Sequence, residues 1–228
     1  MRAFAVLSLA LSAALILAAM QQRSLAAPLY SRVIPALQGE KGPDWKSAEK
    51  GDLKGSVKFS AKRPAQPMVV YLERVGEQGS FDVPAKLSVS QKGAVFAPAF
   101  AVLVIGQEAE FKNDEEKEID HNVYFLGASN LDLDIIAQGK SKSQKFDAAG
   151  EVSIHCSIHK FMDAKYFIAP NPACFTLAAD ASSYAIKGVP VGKYKLRTWQ
   201  KSKRFKDVEL DVEIKKGEEA TLNVEMTR

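Results

Sequence analysis

The sequence predicts an all-β protein. Short runs of β-branched and aromatic residues recur along the chain, separated by Gly, Pro, Asn or Asp, and none of them carries a sustained helical repeat. Many short strands divided by turn residues are typical of a β-sandwich or a barrel. The clearest runs, in chain order, are GSVKFS, MVVYLERV, AKLSVSQ, AVLVIG, AEFKN, HNVYFL, GEVSIHC and AKYFIA.

The first 26 residues have the pattern of a secretory signal peptide. Arg2 precedes an apolar run over positions 3–20, and the small residues of SLAA follow, which suits a cleavage site. The alternative is a transmembrane anchor, although the run is at the lower length limit for a membrane span. We therefore predict that residues 1–26 are removed and that the mature protein is periplasmic, without stable membrane insertion.

The rest of the chain divides by composition into three segments. Residues 27–51 mix Pro, Gly and charge without a clear period, which predicts an irregular lead-in. Residues 52–170 contain most of the strand-like runs and form the larger predicted domain. The segment PNP then stops a strand, and residues 171–228 form a smaller β unit, in which positions 208–214 alternate strictly between apolar and acidic residues.

The charge balance and the positions of the histidines argue against two classes of function. Lys and Arg number 31 and Asp and Glu number 27, which is too even for the clustered basic face of a nucleic-acid-binding protein. All three histidines fall between positions 121 and 159, so a separate Ser-His-Asp set is not available. We therefore predict neither a nucleic acid partner nor an enzyme.

The segment HCSIHKFM, positions 155–162, concentrates soft and borderline metal ligands. Its C-x-x-H-x-x-M spacing offers the thiol of Cys156, the imidazole of His159 and the thioether of Met162, and His121 opens another predicted strand. Two imidazoles and a thiolate with a weak axial thioether are the ligands of blue-copper electron-transfer sites. Zinc sites are built from Cys and His without a thioether, and iron–sulfur clusters need more than two cysteines. Ligand chemistry therefore favours copper.

Strand alternation predicts the direction of His155, and the number of cysteines allows an alternative role for Cys156. Successive side chains of a strand point to opposite faces, so His155 should face away from a site that Cys156 faces. Two cysteines in an exported chain also allow a disulfide between Cys156 and Cys174, which would remove the thiolate ligand.

The two ligand motifs resemble those of the cupredoxin family, the blue copper proteins that include amicyanin and plastocyanin. HCSIHKFM has the spacing of the amicyanin ligand loop, and DHNVYFL resembles the stretch that carries the first copper histidine. QKGAVFAPAFAVLVIGQEAEFKN adds a weaker likeness, and the resemblance covers about residues 86–169. It implies a cupredoxin-like Greek-key β-sandwich that holds one copper ion, Cu(I) or Cu(II), in each chain.

Carried over by position, the resemblance also implies which residues serve the copper. The ligands would be His121, Cys156, His159 and Met162, and Asn122 would tie the two ligand loops together. The implied function is single-electron transfer with a periplasmic redox partner, such as a c-type cytochrome or a dehydrogenase.

The C-terminal segment resembles a different family. SYAIKGVPVGKYKLRTW is similar to the core of carboxypeptidase regulatory-like, transthyretin-type β-sandwich modules. Exported bacterial proteins that combine a cupredoxin-like domain with such a module are often labelled methylamine-utilisation or plastocyanin-like. The resemblance implies a small second β-sandwich with a structural role.

Two other functions are compatible with the same residues. A periplasmic copper carrier or sensor would use the same ligands without fast electron exchange. A structural β module without metal would instead bridge Cys156 to Cys174. The acidic run at positions 114–118 is expected to be a solvated loop.

Overall fold

The computed structural model of the protein describes residues 42–63 and 66–228. The predicted signal peptide and residues 27–41 of the lead-in segment lie outside these residues. The described chain contains strands and no helix, so the predicted all-β fold class is confirmed. None of these described residues forms a helix with the length and apolarity needed to cross a membrane.

The described chain contains seventeen strands, and they are short, as the spacing of turn residues predicts. In chain order they are β1 (Lys50–Phe59), β2 (Met68–Arg74), β3 (Leu87–Gln91), β4 (Phe96–Ala97), β5 (Phe100–Val104), β6 (Glu108–Asn113), β7 (His121–Gly127), β8 (Leu131–Ile136), β9 (Ser141–Lys145), β10 (Gly150–His155), β11 (Asp163–Ala169), β12 (Cys174–Leu177), β13 (Ser183–Pro190), β14 (Gly192–Gln200), β15 (Glu209–Ile214), β16 (Glu219–Thr221) and β17 (Val224–Met226).

The middle of the chain forms one pair of sheets. The first has the strand order β5-β11-β10-β7-β8, and the second has the order β4-β3-β6-β9. Pairing is antiparallel except between β5 and β11 and between β3 and β6. Alternate side chains of both sheets enter one core, which includes Val89, Phe111, Phe125, Ile154 and Tyr166. Because two sheets bury a common core, this part of the protein is a β-sandwich.

The two ends of the described chain form a second pair of sheets. One has the order β13-β1-β16, with β17 also paired to β1, and the other has the order β12-β2-β14-β15. Their shared core includes Leu53, Leu72, Tyr184, Leu196 and Ile214. The strict alternation expected at 208–214 lies largely in β15, whose last residue, Ile214, is fully buried.

Strands β1 and β2 belong to the sheets of the C-terminal segment. β1 pairs with β13, and β2 lies between β12 and β14. The boundary expected between residues 52–170 and 171–228 therefore separates strands that are hydrogen-bonded to one another. An alternating sequence shows which face of a strand is buried but not which strand lies beside it, so this long-range pairing was not visible in the sequence.

An aromatic cluster joins the two pairs of sheets. Phe167 of β11 and Trp199 of β14 stack with ring centroids 5.3 Å apart, and Phe100 stacks on Trp199 at 6.0 Å. The Trp199 indole N–H donates to Glu151 Oε2 at 3.0 Å, so its polar atom is satisfied as it is buried. Trp199, which the sequence marks only as a packing residue at the end of an alternating run, is thus a main contact between the two sandwiches.

Stability of the second sandwich should depend on the buried side chain of Leu72 and not on the exposed side chain of Val75. Leu72 is fully buried in β2, whereas Val75, three residues later, is 56% exposed. We expect Leu72→Ala to lower the free energy of unfolding by about 2–5 kcal/mol, because it leaves a cavity in the packed core. Val75→Ala is the matched control and should change it by less than about 0.5 kcal/mol. Chemical denaturation of both variants measures this, and equal losses would contradict the assignment of Leu72 to the core.

Candidate metal centre

Sheet pairing brings the two ligand motifs to the same edge of the first sandwich, by which we mean the end of the sandwich where β7 begins and β10 ends. β7 begins at His121, and β10 ends at His155, immediately before Cys156. The two strands are antiparallel neighbours, with His155 opposite Tyr124, so the start of one lies beside the end of the other. The loop from Cys156 to Met162 then turns back into β11, which pairs with β10 as a hairpin.

Three potential ligand atoms converge at this edge. His121 Nδ1 lies 3.1 Å from His159 Nδ1, and Cys156 Sγ lies 3.9 Å from the same nitrogen. The His121, Cys156 and His159 ligand atoms all lie within 4.8 Å of one another. His121 and Cys156 are buried and His159 is half-buried, so the cluster opens toward solvent through the His159 ring.

Met162, the fourth predicted ligand, closes the loop. Its backbone N–H donates to the His159 carbonyl oxygen at 2.9 Å. Its side chain is buried and packs in the same core cluster as Cys156. The sulfur is therefore held in the apolar interior next to the loop, and its role as an axial ligand stays a prediction.

Asn122 connects the two ligand segments. Its side-chain oxygen accepts a hydrogen bond from the Ser157 N–H at 3.2 Å, and its side-chain nitrogen donates to Asp132 Oδ1 at 2.6 Å. Its backbone N–H points at Cys156 Sγ from 3.4 Å. The His159 N–H approaches the same sulfur, also at 3.4 Å. Two amide donors aimed at one sulfur suit a negatively charged thiolate.

Glu115 is a site residue that the sequence analysis missed. Its carboxylate oxygen Oε1 lies 3.0 Å from His121 Nε2 and accepts the Ala94 N–H at 3.0 Å. The backbone N–H groups of Ala94 and Gly93, together with His121, hold the pKa of Glu115 at about 2, well below its ordinary value of 4.5.

The expectation of a solvated loop at 114–118 is wrong for Glu115. Its side chain is only 9% exposed, whereas the neighbouring Glu116 is exposed and paired with Lys92 at 2.7 Å. The sequence offers several acidic residues in this run with no spacing that distinguishes one of them. The distinguishing contact comes from the turn after β3, which is distant in sequence.

His155 and Cys174 lie away from the cluster. The His155 ring packs against Tyr124 with centroids 5.3 Å apart, as expected for the residue that precedes Cys156 on an alternating strand. Cys156 and Cys174 are both free thiols. Cys174 packs beside the aromatic junction between the sandwiches, and burial raises its pKa to about 11. The structure therefore gives no support to a bridge between the two cysteines.

Two exposed apolar side chains lie on the same loop as His159. Phe161 is 71% exposed, with its ring centroid 6.1 Å from that of His159, and Ile158 is exposed on the same loop. Large apolar side chains beside a partly exposed polar ring are typical of a contact surface for another molecule.

No family model matches the chain, and no curated protein matches it. Among solved structures, a copper-containing nitrite reductase from Thermus scotoductus SA-01 aligns with a TM-score of 0.37 and 20% identity, over 50% of this chain and 28% of that chain. A purple cupredoxin from Nitrosopumilus maritimus aligns with a TM-score of 0.33 and 12% identity, over 36% and 99% of the two chains. A reduced amicyanin variant aligns with a TM-score of 0.33 and 22% identity, over 37% and 82%.

These structural neighbours are cupredoxin-type copper proteins, and each alignment covers half of this chain or less. The chain spans less than a third of the nitrite reductase.

The depressed pKa of Glu115 should make the stability of the metal-free protein depend on pH. A carboxyl group whose pKa is lower in the folded state stabilises the fold fully above its ordinary pKa of 4.5, and this contribution disappears as the pH falls toward about 2. Glu115→Gln should therefore be less stable than the wild type at pH 6, and the difference should shrink steadily below pH 4.5. Urea denaturation across this range measures it. A difference that is independent of pH would contradict the ionised contact.

Proposed function

We propose that this protein is a periplasmic type I copper protein that transfers single electrons between redox partners. The observation that carries the proposal is the convergence of His121, Cys156 and His159, two imidazoles and one thiol, at one edge of a β-sandwich. A trigonal set of this composition is the ligand set of blue-copper electron-transfer sites.

The donor atoms fit a copper ion in kind and in spacing. Atoms that bind one ion at about 2.0–2.3 Å lie about 3–4 Å from one another. Two of the three separations agree with this range, namely 3.1 Å between the two imidazole nitrogens and 3.9 Å between Cys156 Sγ and His159 Nδ1, and all three ligand atoms lie within 4.8 Å of one another. Thiolate sulfur suits Cu(I), imidazole suits Cu(II), and a mixed set accommodates both oxidation states.

Each residue has a distinct part in this proposal. Cys156 would hold the ion through its thiolate, His121 and His159 would hold it through imidazole nitrogens, and Met162 would add a weak thioether ligand. Copper held there supplies the reversible gain and loss of one electron. Asn122 holds the two ligand segments together through its contacts to Ser157 and Cys156, so the donors stay in place whichever oxidation state is present.

The surroundings of His159 support electron exchange with a protein partner. The imidazole is the half-buried member of the cluster, and Phe161 and Ile158 provide apolar contact area beside it. A periplasmic redox protein, such as a c-type cytochrome or a dehydrogenase, that docked here would approach the metal through this ring. The small apolar contact area suits a transient complex, because weak complexes between redox proteins use small interfaces.

The rest of the chain belongs to the same proposal. We assign residues 1–26 to an export signal, and the C-terminal strands, together with β1 and β2, to a structural module of the carboxypeptidase regulatory-like type. The sequence likeness and the β-sandwich formed by these strands support this assignment. By sequence likeness, we also place the protein with the exported proteins of this domain combination that are labelled methylamine-utilisation.

Copper binding is tested by titrating the purified metal-free protein with Cu(II) and recording the visible spectrum. We expect an intense sulfur-to-copper charge-transfer band that saturates at one ion per chain, because Cys156 is the thiolate ligand. Cys156→Ser should abolish the band. Cys174→Ser is the matched control and should retain it, since Cys174 lies in the junction between the sandwiches. A band that depends on Cys174, or no band in the wild type, would contradict the proposal.

A second experiment separates an electron carrier from a copper carrier or sensor. The loaded protein is cycled between ascorbate and an oxidised c-type cytochrome in the presence of a Cu(I) chelator. We expect repeated electron transfer with copper retained, because two of the donors are buried and hydrogen bonds tie their loops. Rapid loss of copper to the chelator, with slow reduction of the cytochrome, would instead identify a carrier.

A further inference from the structure

We propose that Glu115 is a positioning residue that fixes the tautomer and the ring orientation of His121, so that His121 Nδ1 presents a lone pair to the metal. This inference rests on the proposed function for its consequence at copper. Its first test is made on the metal-free protein, and the outcome there is independent of copper binding.

The geometry around the His121 ring assigns a role to each nitrogen. Nε2 faces the Glu115 carboxylate at 3.0 Å, and Nδ1 faces the cluster, 3.1 Å from His159 Nδ1. An ionised carboxylate only accepts hydrogen bonds, so the proton of a neutral ring belongs on Nε2. Nδ1 is then the acceptor nitrogen, and it is the one that points at the other two donors.

Glu115 is itself held in place from several directions. Its backbone N–H donates to Asn113 Oδ1 at 3.2 Å, and its carbonyl oxygen accepts from Gln138 Nε2 at 2.9 Å. Its carboxylate accepts the Ala94 N–H, and Ala94 has a φ of 53°, which is uncommon for a residue other than glycine. A carboxylate anchored to a turn and to its own loop has little freedom to turn away from the imidazole.

The Asn113 side chain extends this support to the segment before β7 and to the neighbouring strand β8. Its Nδ2 donates to the carbonyl oxygens of Ile119 and Ile136, each at 2.8 Å. Ile136 of β8 is the pairing partner of His121. The backbone that carries His121 and the backbone that carries Glu115 are therefore fixed by one buried amide, which sets the separation between the ring and the carboxylate.

A purely structural role for Glu115 would have different consequences. If it only tied the turn after β3 to the loop before β7, its replacement would change stability and leave the histidine ring unaffected. Glu116, the next residue, provides a comparison. It makes an exposed ion pair with Lys92, which lies in the turn after β3 and is not a candidate metal ligand. Glu115→Gln and Glu116→Gln thus remove the same charge from adjacent positions.

The direct test is the tautomer of His121 in the ¹⁵N-labelled metal-free protein, read from two-bond ¹H–¹⁵N correlation spectra. We expect the Nε2–H form in the wild type and in Glu116→Gln. In Glu115→Gln we expect a mixture of tautomers, because the side-chain amide both donates and accepts. A backbone amide spectrum establishes that each variant is folded. The Nδ1–H form in the wild type would overturn the inference without reference to any variant.

The consequence at the metal is measured by competition for Cu(II) and by the reduction potential. Glu115→Gln should weaken Cu(II) binding by about 10- to 100-fold, the usual effect of removing a group that orients a metal-bound histidine. It should also raise the potential, since a nearby negative charge favours Cu(II). Glu116→Gln should match the wild type in both measurements. Equal affinities and potentials in all three proteins would overturn the positioning role.

Failure of the inference and failure of the proposed function give different results. If the wild type binds no Cu(II), the proposed function is wrong, whereas the tautomer spectra still decide whether Glu115 controls the His121 ring. If copper binds and the His121 tautomer is the same in Glu115→Gln as in the wild type, the proposed function stands and the positioning role does not.

Discussion

The antiparallel pairing of β7 with β10 is the constraint on which the candidate site depends. It sets His155, the last residue of β10, opposite Tyr124 of β7, so that Cys156 and the first residues of β7 lie at the same end of the sheet although they are far apart in sequence. The hydrogen bonds of Asn122 to Ser157 and to the Cys156 sulfur then hold the loop against the strand. A shift of this pairing by one residue would turn His121 to the opposite face of the sheet and dismantle the cluster.

The sandwich core and the polar groups have separate tasks in this arrangement. Packing of residues such as Phe111, Phe125 and Ile154 fixes the two sheets, while the ligand atoms lie at one edge, where a ring can reach solvent. Around that edge, Asn122 supports the sulfur side and Glu115 supports the imidazole side. Packing and hydrogen bonds of the protein itself therefore hold the candidate donors in place, which suits a centre whose geometry should change little between two oxidation states.

Much of this organisation was predictable from local sequence. Alternation and turn residues predicted the strands, and the C-x-x-H-x-x-M spacing with one upstream histidine singled out three side chains that do converge. Glu115 was not predictable, because several acidic residues share its run and only a contact with the distant turn at Ala94 separates it from them. The pairing of β1 and β2 with C-terminal strands was hidden for a similar reason: strand partners are set by long-range packing, which no local period encodes.

The central claim is that one copper ion binds to one sulfur and two imidazoles of this chain. X-ray absorption at the copper edge of the loaded protein, compared with the Cys156→Ser and His121→Ala variants, tests it most directly. The account predicts one sulfur and two imidazole nitrogens bound directly to copper, at distances within the range of about 2.0–2.3 Å that thiolate and imidazole ligands show at zinc. It also predicts that the sulfur is lost in the first variant and one imidazole in the second. A wild-type spectrum with no sulfur neighbour, or one unchanged by either substitution, would contradict it.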